Sequence, residues 1–348
     1  CITLQTYPSQ KMLWKLTRPL GVNITHIIMK LKSILATAVT IPLMVACGGT
    51  RETFTLNGAG ATFPAPLYQA WFQDFSGQTG NQVNYQAVGS GAGVRQFNAN
   101  TVDFGASDGA VSDEKQNTDM LHVPMTGGAI VPAYNNEGCY AQMSQTELAD
   151  VFLGKIDNWS HFGCEDKKIV TVFRSDGSGT TKGFTNSLSA FSSEWAERVG
   201  TGKSVNWPVG IGAKGNSGVA AQINQVDGAI GYLNYGYVSN SDTLQQVSLQ
   251  NRAGYYVVAN AETSAAGLSQ IVLDDQLRGA DPNPDGKESY PIVSLTWILV
   301  YPESKPGVQE TLRYMLSPRA QSMCDSLGYV RLPEDLRQRA LGVVDTLN

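Results

Sequence analysis

The feature that most constrains the fold is a strand, a glycine turn and a helix in the middle of the chain. An apolar run at 169–173 predicts the strand, and the spacing of Phe184, Leu188 and Phe191 predicts a helix packed against a sheet. Between them, residues 174–181 read Arg-Ser-Asp-Gly-Ser-Gly-Thr-Thr, and the two glycines let the backbone bend close to a ligand. Such a unit is typical of an α/β protein.

The same turn carries groups that can hold an anion. The first turn of a helix has unpaired N–H groups and a partial positive charge. Ser178, Thr180 and Thr181 add hydroxyl donors there, and Arg174 adds a cation with a planar fork of donors. The pattern predicts an anion site, and the alternative is that these hydroxyls only cap the helix.

Two more glycine turns join a predicted strand to a predicted helix. They are Gly-Ala-Gly-Ala-Thr-Phe-Pro-Ala-Pro at 58–66 and Gly-Ser-Gly-Ala-Gly at 89–93. A fourth stretch, 103–108, ends a short strand in Asp108, a carboxylate that is out of place beside an anion. Three donor-rich turns with one acid suggest an anion that carries a proton, although Asp108 alone could be a surface turn residue.

Six runs of the sequence resemble the family of periplasmic phosphate-binding proteins of high-affinity phosphate ABC transporters. They read GAGATFPAP, VNYQAVGSGAGV, NTVDFGASD, RSDGSGTT, VGTGKSVNWPVGIGAKGNSGVAA and GAIGYLNYGY, in order from about Leu56 onwards. One departure is Ser90-Gly91-Ala92-Gly93, where the family often has Ser-Ser-Gly-Gly. The resemblance implies phosphate binding by Thr62, Phe63 (backbone N–H), Ser90, Asp108, Arg174, Ser178, Gly179 (backbone N–H) and Thr180.

The chemistry of these side chains, and of the neighbouring Asp176, predicts their roles. Arg174 is expected to form a bidentate pair with two phosphate oxygens. Asp176 either orients Arg174 or only stabilises the turn. Asp108 is expected to accept the proton that phosphate keeps near neutral pH, whereas sulfate has no proton and would meet the carboxylate with lone pairs. No metal and no cofactor are predicted.

Strands and helices alternate along the chain, which predicts α/β domains with helices on both faces of a sheet. The resemblance implies the type II periplasmic-binding-protein fold, with two α/β domains joined by a two-stranded hinge and the ligand in the cleft. We expect lobe I to comprise residues 47–128 and 292–348, and lobe II to comprise residues 129–291. Two strands, near Gly127–Pro132 and Ile292–Tyr301, form the expected hinge. The anion turns at 62, 90 and 108 then belong to lobe I and the turn at 174–180 to lobe II, so binding should close the cleft.

Residues 1–46 are expected to be an upstream extension, up to Met29, followed by a signal peptide. A short basic segment precedes an apolar run from Ile34 to Ala46, which is too short for a comfortable membrane span. Leu43-Met44-Val45-Ala46-Cys47 resembles a bacterial lipobox, so Cys47 is expected to carry lipid and to anchor the protein in the periplasm or at the cell surface. The alternative is a soluble secreted protein.

Charge and cysteine content limit the partners. The formal net charge is −5, and the first 46 residues hold five of the 25 basic residues and none of the 30 acidic ones. The remainder therefore carries −10, which argues against nucleic-acid binding. Cys139 and Cys164 are expected to form a disulfide, with two buried free thiols as the alternative, and Cys324 to be a small core residue.

A hydrolase is the main enzymatic alternative, but the histidines beyond the leader, His122 and His161, lie in no triad context, and the serine turns lack a Gly-x-Ser-x-Gly elbow. One strand is interpreted to contain Tyr232, Tyr235 and Tyr237, which form part of its core and its surface.

From these observations together we expect a monomeric, non-enzymatic phosphate-binding protein that serves the permease and ATPase subunits of an ABC transporter. The alternatives are a receptor for arsenate or sulfate and a phosphate sensor or scavenger without a permease.

Overall fold

The computed structural model describes residues 52–112 and 119–348. The predicted signal peptide, the extension before Met29 and the lipid-bearing Cys47 lie outside these residues. Within them, no helix is both long and apolar enough to cross a bilayer.

Strands and helices alternate through most of the described chain, as the sequence predicts. The strands are β1 Thr55–Gly60, β2 Gln82–Ala87, β3 Phe104–Ser107, β4 Leu121–Asn135, β5 Gln142–Met143, β6 Val170–Arg174, β7 Ile211–Ala213, β8 Ala229–Asn234, β9 Gln245–Gln246, β10 Ser248–Gln250, β11 Tyr256–Val257 and β12 Val293–Val300. The helices are α1 Ala65–Thr79, α2 Ser90–Asn98, α3 Gln145–Leu153, α4 Gly179–Phe191, α5 Ser193–Arg198, α6 Gly215–Gln225, α7 Tyr235–Ser239, α8 Ala261–Leu268, α9 Val308–Met315, α10 Pro318–Gln321 and α11 Glu334–Asp345.

The strands form a mixed sheet in the order β2, β1, β3, β12, β4, β8, β6 and β7, with β9 paired to β4. A second, small sheet contains β11, β10 and β5. β1 is parallel to β2 and β3, and β6 is parallel to β7 and β8. Each parallel pair is connected through a helix, which places the helix N-termini at the carboxyl ends of the strands.

β4 belongs to both halves of the large sheet. Its residues 121–129 pair antiparallel with β12, and its residues 130–135 pair antiparallel with β8. The lobe boundaries predicted at 128/129 and 291/292 therefore fall inside β4 and just before β12. This mixed α/β architecture confirms the predicted fold class, and we keep the names lobe I and lobe II for the predicted ranges, whose boundaries stay a prediction.

One interpretation of the sequence is wrong. Tyr235 and Tyr237 do not continue the strand that contains Tyr232, because β8 ends at Asn234 and α7 begins at Tyr235. The Asn234 side chain accepts a hydrogen bond from the N–H of Gly236, which caps the helix. Tyr232 lies in the core, where its ring stacks on Phe184 at 4.2 Å between centroids.

Cys139 and Cys164 form a disulfide with a Cα–Cα distance of 5.2 Å, and Cys324 is buried as a free thiol. The bridge closes a loop with a sequence separation of 25, which contains α3 and a 3₁₀ turn at Trp159–Phe162. Trp159 is fully buried inside this loop, and its indole N–H donates to the carbonyl of Gly228. The disulfide therefore joins two ends of a segment that also has a packed core.

We expect the Cys139→Ala/Cys164→Ala variant to lose free energy of unfolding on the order of 3 kcal/mol, because the unfolded chain regains the freedom of the open loop. Urea denaturation measures the loss. Wild type in reducing agent is the control, and its midpoint should fall with that of the variant. Equal midpoints for oxidised wild type and the variant would contradict the prediction.

Candidate functional site

The residues assigned by resemblance lie at or just after the ends of four strands, and three of these strands lead directly into a helix. Thr62 and Phe63 precede α1, Ser90 begins α2, Asp108 follows β3, and the segment from Arg174 to Thr180 joins β6 to α4. All of them are buried: Thr62, Phe63, Ser90, Asp108, Arg174, Ser178, Gly179 and Thr180. Both lobes contribute to the site.

Ser90 connects the two lobes through its hydroxyl oxygen. This oxygen accepts hydrogen bonds from the backbone N–H of Asp108 at 3.2 Å and of Gly179 at 3.1 Å. The hydroxyl lies 3.5 Å from Oδ2 of Asp108, and the hydroxyl of Thr180 donates to the same oxygen at 3.3 Å. Asp108, Ser90 and the start of α4 therefore form one hydrogen-bonded cluster.

Arg174 is held by Asp176 through two hydrogen bonds. Its Nε donates to Oδ1 at 2.8 Å and its Nη2 donates to Oδ2 at 2.5 Å. Nη1 lies 3.4 Å from the hydroxyl oxygen of Thr180. The bidentate partner in this structure is thus Asp176, and the Nη1 end of the guanidinium faces the other site residues. Burial would raise the pKa of Asp176, but the hydrogen bonds and charge of Arg174 lower it.

Ser178 is the N-cap of α4, and its hydroxyl oxygen accepts from the N–H of Thr181 at 3.0 Å. The capping role that sequence analysis kept as an alternative is therefore present. It does not compete with ligand binding, because capping uses a lone pair and leaves the hydroxyl hydrogen free to donate. The N-cap residues of α1, α2 and α6 make no side-chain cap.

The lobes approach each other through backbone at the edge of the site. The N–H of Gly91 donates to the carbonyl of Gly177 at 2.7 Å. A Cβ on Gly91 would lie 3.1 Å from Cα of Gly177, and a Cβ on Gly89, whose φ is +93°, would lie 2.2 Å from Oδ2 of Asp176. Side chains at these positions would collide with lobe II, so the contact requires glycine.

Sequence analysis missed several side chains that shape the site. Asn216, at the start of α6, bonds to the hydroxyls of Thr62 and Thr180. The hydroxyl of Tyr232 accepts from the N–H of Arg174. From β12, the hydroxyl of Thr296 donates to Oδ1 of Asp108 at 3.1 Å. Asn216 had a local signal, because it opens a helix after a glycine, whereas Thr296 is 188 residues from Asp108 and had none.

Burial raises the pKa of Asp108 to about 6, although the charge of Arg174, a hydrogen bond from Thr296 and the charge of Lys203 act in the opposite direction. Asp108 is 3% exposed. Its environment contains cations and hydroxyl groups that can donate. The charge on Asp108 is therefore costly to bury and is only partly offset by its neighbours.

We expect the stability of the ligand-free protein to depend on pH through Asp108. An acid whose folded pKa is raised stabilises the fold at low pH, and this contribution is lost as pH rises from about 4 to about 6. Relative to Asp108→Asn, wild type should lose on the order of 3 kcal/mol of unfolding free energy between pH 4 and pH 7. Urea unfolding at several pH values tests this, and a difference that is constant with pH would contradict it.

The arrangement can bind a small oxyanion. A buried guanidinium, several hydroxyls and the N-termini of α1, α2, α4 and α6 replace lost hydration around a negative charge. The carboxylate of Asp108 adds one acceptor to this set of donors. A tetrahedral anion that carries a proton satisfies both kinds of group, whereas an anion without one leaves lone pairs facing the carboxylate.

Comparisons with known proteins agree with this description. A family profile described as "PBP superfamily domain" matches residues 46–319. The phosphate-binding protein PstS of Pasteurella multocida is 38% identical over 318 residues, which cover 83% of this chain and 90% of that protein.

Two solved structures share the fold. The high-affinity periplasmic phosphate-binding protein PfluDING, bound with phosphate, has a TM-score of 0.66 and 23% identity, covering 82% of this chain and 92% of its own. An ABC-type phosphate transport receptor from Vibrio cholerae has a TM-score of 0.55 and 17% identity, with coverage of 81% and 100%. By its fold and its similarity to PstS, this chain belongs to the phosphate-binding protein family of the PBP superfamily.

Proposed function

We propose that the protein captures inorganic phosphate between its lobes and delivers it to an ABC permease for high-affinity uptake. The observation that carries the proposal is the buried carboxylate of Asp108 inside a site that otherwise offers a cation and hydrogen-bond donors. The names of the relatives, PstS and the phosphate transport receptor of V. cholerae, support the same ligand and the same pathway.

In this proposal the Nη1 end of Arg174 contacts phosphate, and Asp176 holds the guanidinium in position through the opposite edge. The hydroxyls of Thr62, Ser90, Ser178 and Thr180 and the N–H groups of Phe63 and Gly179 donate to the remaining oxygens. For this, Gly179 exchanges its bond to Ser90, and Thr180 its bond to Asp108, for bonds to phosphate. Hydrogen bonds to a charged group contribute roughly 1.5 to 3 kcal/mol each, which supports tight binding after the cost of desolvation. Asp108 accepts the phosphate proton.

A cavity that reaches the interlobe contact of Gly91 and Gly177 carries cationic side chains. A cleft of about 790 Å³ is lined by Arg95, Lys182 and Lys203, among other residues. The ammonium group of Lys203 donates to the hydroxyl of Ser107 at 2.9 Å, so it crosses from lobe II to lobe I. We propose that these local charges favour the approach of an anion although the chain beyond residue 46 carries a net charge of −10.

We further propose that the protein acts outside the cytoplasm as a monomer, anchored by lipid on Cys47, and that its partners are the permease and ATPase subunits of a phosphate transporter. The lipobox resemblance supports the anchor, and labelling with a radioactive fatty acid, lost in Cys47→Ala, tests it. We propose a binding role and no catalytic one, because the groups of the described site bind and position an anion and the curated relatives are named as binding proteins.

Calorimetric titration of the purified protein, freed of bound phosphate, tests the proposal. We expect strong heat with phosphate and none with sulfate at equal concentration. Arsenate carries a proton as phosphate does, so it is the competing ligand that Asp108 does not exclude. Equal affinity for sulfate, or none for phosphate, would overturn the assignment. Uptake that persists in a strain lacking the permease would favour the alternative of a sensor or scavenger.

A further inference from the structure

Asn216 connects hydroxyl groups of the two lobes through a single amide group. It lies in the first turn of α6 and is fully buried. Its Nδ2 donates to Oγ1 of Thr62 at 2.8 Å and to Oγ1 of Thr180 at 3.1 Å. Asn216 and Thr180 belong to lobe II and Thr62 to lobe I, so one hydrogen of the side-chain amide crosses the cleft and the other bonds within lobe II.

The orientation of this amide is fixed from two directions. The N–H of Asn234, at the end of β8, donates to Oδ1 of Asn216 at 2.9 Å, so Nδ2 must face the threonines. The preceding residue is anchored as well, because the N–H of Gly215 donates to Oδ1 of Asp176 at 3.0 Å. Asp176 therefore positions both Arg174 and the start of α6.

These hydrogen bonds determine whether the hydroxyls of Thr62 and Thr180 can donate or accept a hydrogen bond towards a ligand. A hydroxyl has one hydrogen and two lone pairs. Oγ1 of Thr62 accepts from both the N–H and the Nδ2 of Asn216. Oγ1 of Thr180 accepts from Asn216 and from Nη1 of Arg174. With the lone pairs occupied, each hydroxyl can act towards a ligand only as a donor, as Thr180 does towards Asp108 at 3.3 Å.

We propose that Asn216 is a positioning residue that sets the hydrogen-bond direction of the Thr62 and Thr180 hydroxyls, so that both present hydrogens to the anion. The inference rests on the proposed function and adds to it a residue outside the eight that contact phosphate. Without this amide the hydroxyls can rotate and turn lone pairs towards the anion, which repels it. The amide also couples the two lobes, because it bonds to Thr62 and to Thr180 at once.

The test is calorimetric titration with phosphate of wild type, Asn216→Ala and Asn216→Asp, each freed of bound phosphate. We expect Asn216→Ala to bind about tenfold to a hundredfold more weakly. Asn216→Asp keeps the shape but should bind more weakly still, because a carboxylate accepts the hydroxyl hydrogens and adds negative charge.

The matched control is Asn251→Ala. Asn251 is also buried, and its amide donates to the carbonyls of Gly286, Lys287 and Ser289, away from the site. This variant should lower the melting temperature and leave phosphate affinity within about twofold of wild type.

A double-mutant cycle separates positioning from general support of the fold. If Asn216 acts through the hydroxyls, the loss caused by Asn216→Ala should be at least about threefold smaller in a Thr62→Val or a Thr180→Val background than in wild type. The inference would be overturned if the losses of phosphate affinity add fully, or if Asn216→Ala and Asn216→Asp both bind phosphate with wild-type affinity. Phosphate binding by wild type would still stand in either case. Wild type that fails to bind phosphate would remove the proposed function and this inference together.

Discussion

Arg174→Ala is expected to weaken phosphate binding by about a hundredfold to ten-thousandfold. Two charge-assisted hydrogen bonds, each contributing roughly 1.5 to 3 kcal/mol, account for this range. The variant also leaves the partly buried carboxylate of Asp176 without the partner that bonds to it at 2.5 and 2.8 Å, so a second negative charge faces the anion. Titration with phosphate and a melting curve measure binding and folding separately.

Arg319→Ala is the matched control for this variant. Arg319 makes the same bidentate pair with an aspartate, at 2.6 and 2.8 Å from Asp74, but on the exposed side of lobe I. Its loss should leave phosphate affinity within about twofold of wild type, because surface ion pairs contribute little. If Arg174→Ala folds poorly, Arg174→Ala/Asp176→Ala removes the orphaned charge. Phosphate affinity within tenfold of wild type in both Arg174 variants would argue against a direct contact.

Asp108→Asn is expected to give the protein measurable affinity for sulfate and to lower the preference for phosphate over sulfate by about tenfold to a hundredfold. The side-chain amide offers a hydrogen to an anion oxygen where the carboxylate offers only lone pairs. Phosphate affinity should fall less, because phosphate can turn an unprotonated oxygen towards the amide. Equilibrium dialysis with radioactive sulfate, with and without phosphate, measures the change.

The control for the selectivity of Asp108→Asn is the same type of substitution at Asp176. Asp176→Asn weakens the support of the guanidinium, so we expect phosphate affinity to fall while the exclusion of sulfate persists. An unchanged preference in Asp108→Asn, or an equal loss of preference in Asp176→Asn, would show that Asp108 does not select the anion. The pair distinguishes a residue that accepts a proton from one that orients a cation.

The fold was predictable because the sequence signals of each strand, glycine turn and helix lie close together in the chain. Apolar runs, glycine turns and helical spacing predicted β6 within one residue and predicted helices after the glycine turns at 89–93 and 174–181, since each signal lies within about fifteen residues of sequence. The helices α2 and α4 begin earlier, at Ser90 and Gly179, inside those turns. The error at Tyr235 and Tyr237 has the same origin. A capping asparagine, Asn234, ended the strand, and its side-chain hydrogen bond has no counterpart in hydrophobic periodicity.

Long-range contacts within the site were not predictable. The bonds from Thr296 to Asp108 and from Asn216 to Thr62 span 188 and 154 residues, and only the paired strands and the contact between lobes bring these side chains together. The raised pKa of Asp108 depends on the same burial. Sequence motifs identified groups that can contact an anion and, two residues from Arg174, the candidate orienting residue Asp176. The distant orienting residues Asn216 and Thr296 emerged only from the three-dimensional arrangement.

The glycine contact between the lobes has a consequence for how such a site can change during evolution. Gly89, Gly91 and Gly177 give no side-chain atom to the ligand, yet a methyl group on any of them would meet the opposite lobe at 3.3 Å or less. A mutation there would prop the lobes apart and weaken every interlobe contact at once. Evolution towards binding a larger ligand could therefore begin with substitutions at these glycines, while the charged residues of the site stay unchanged.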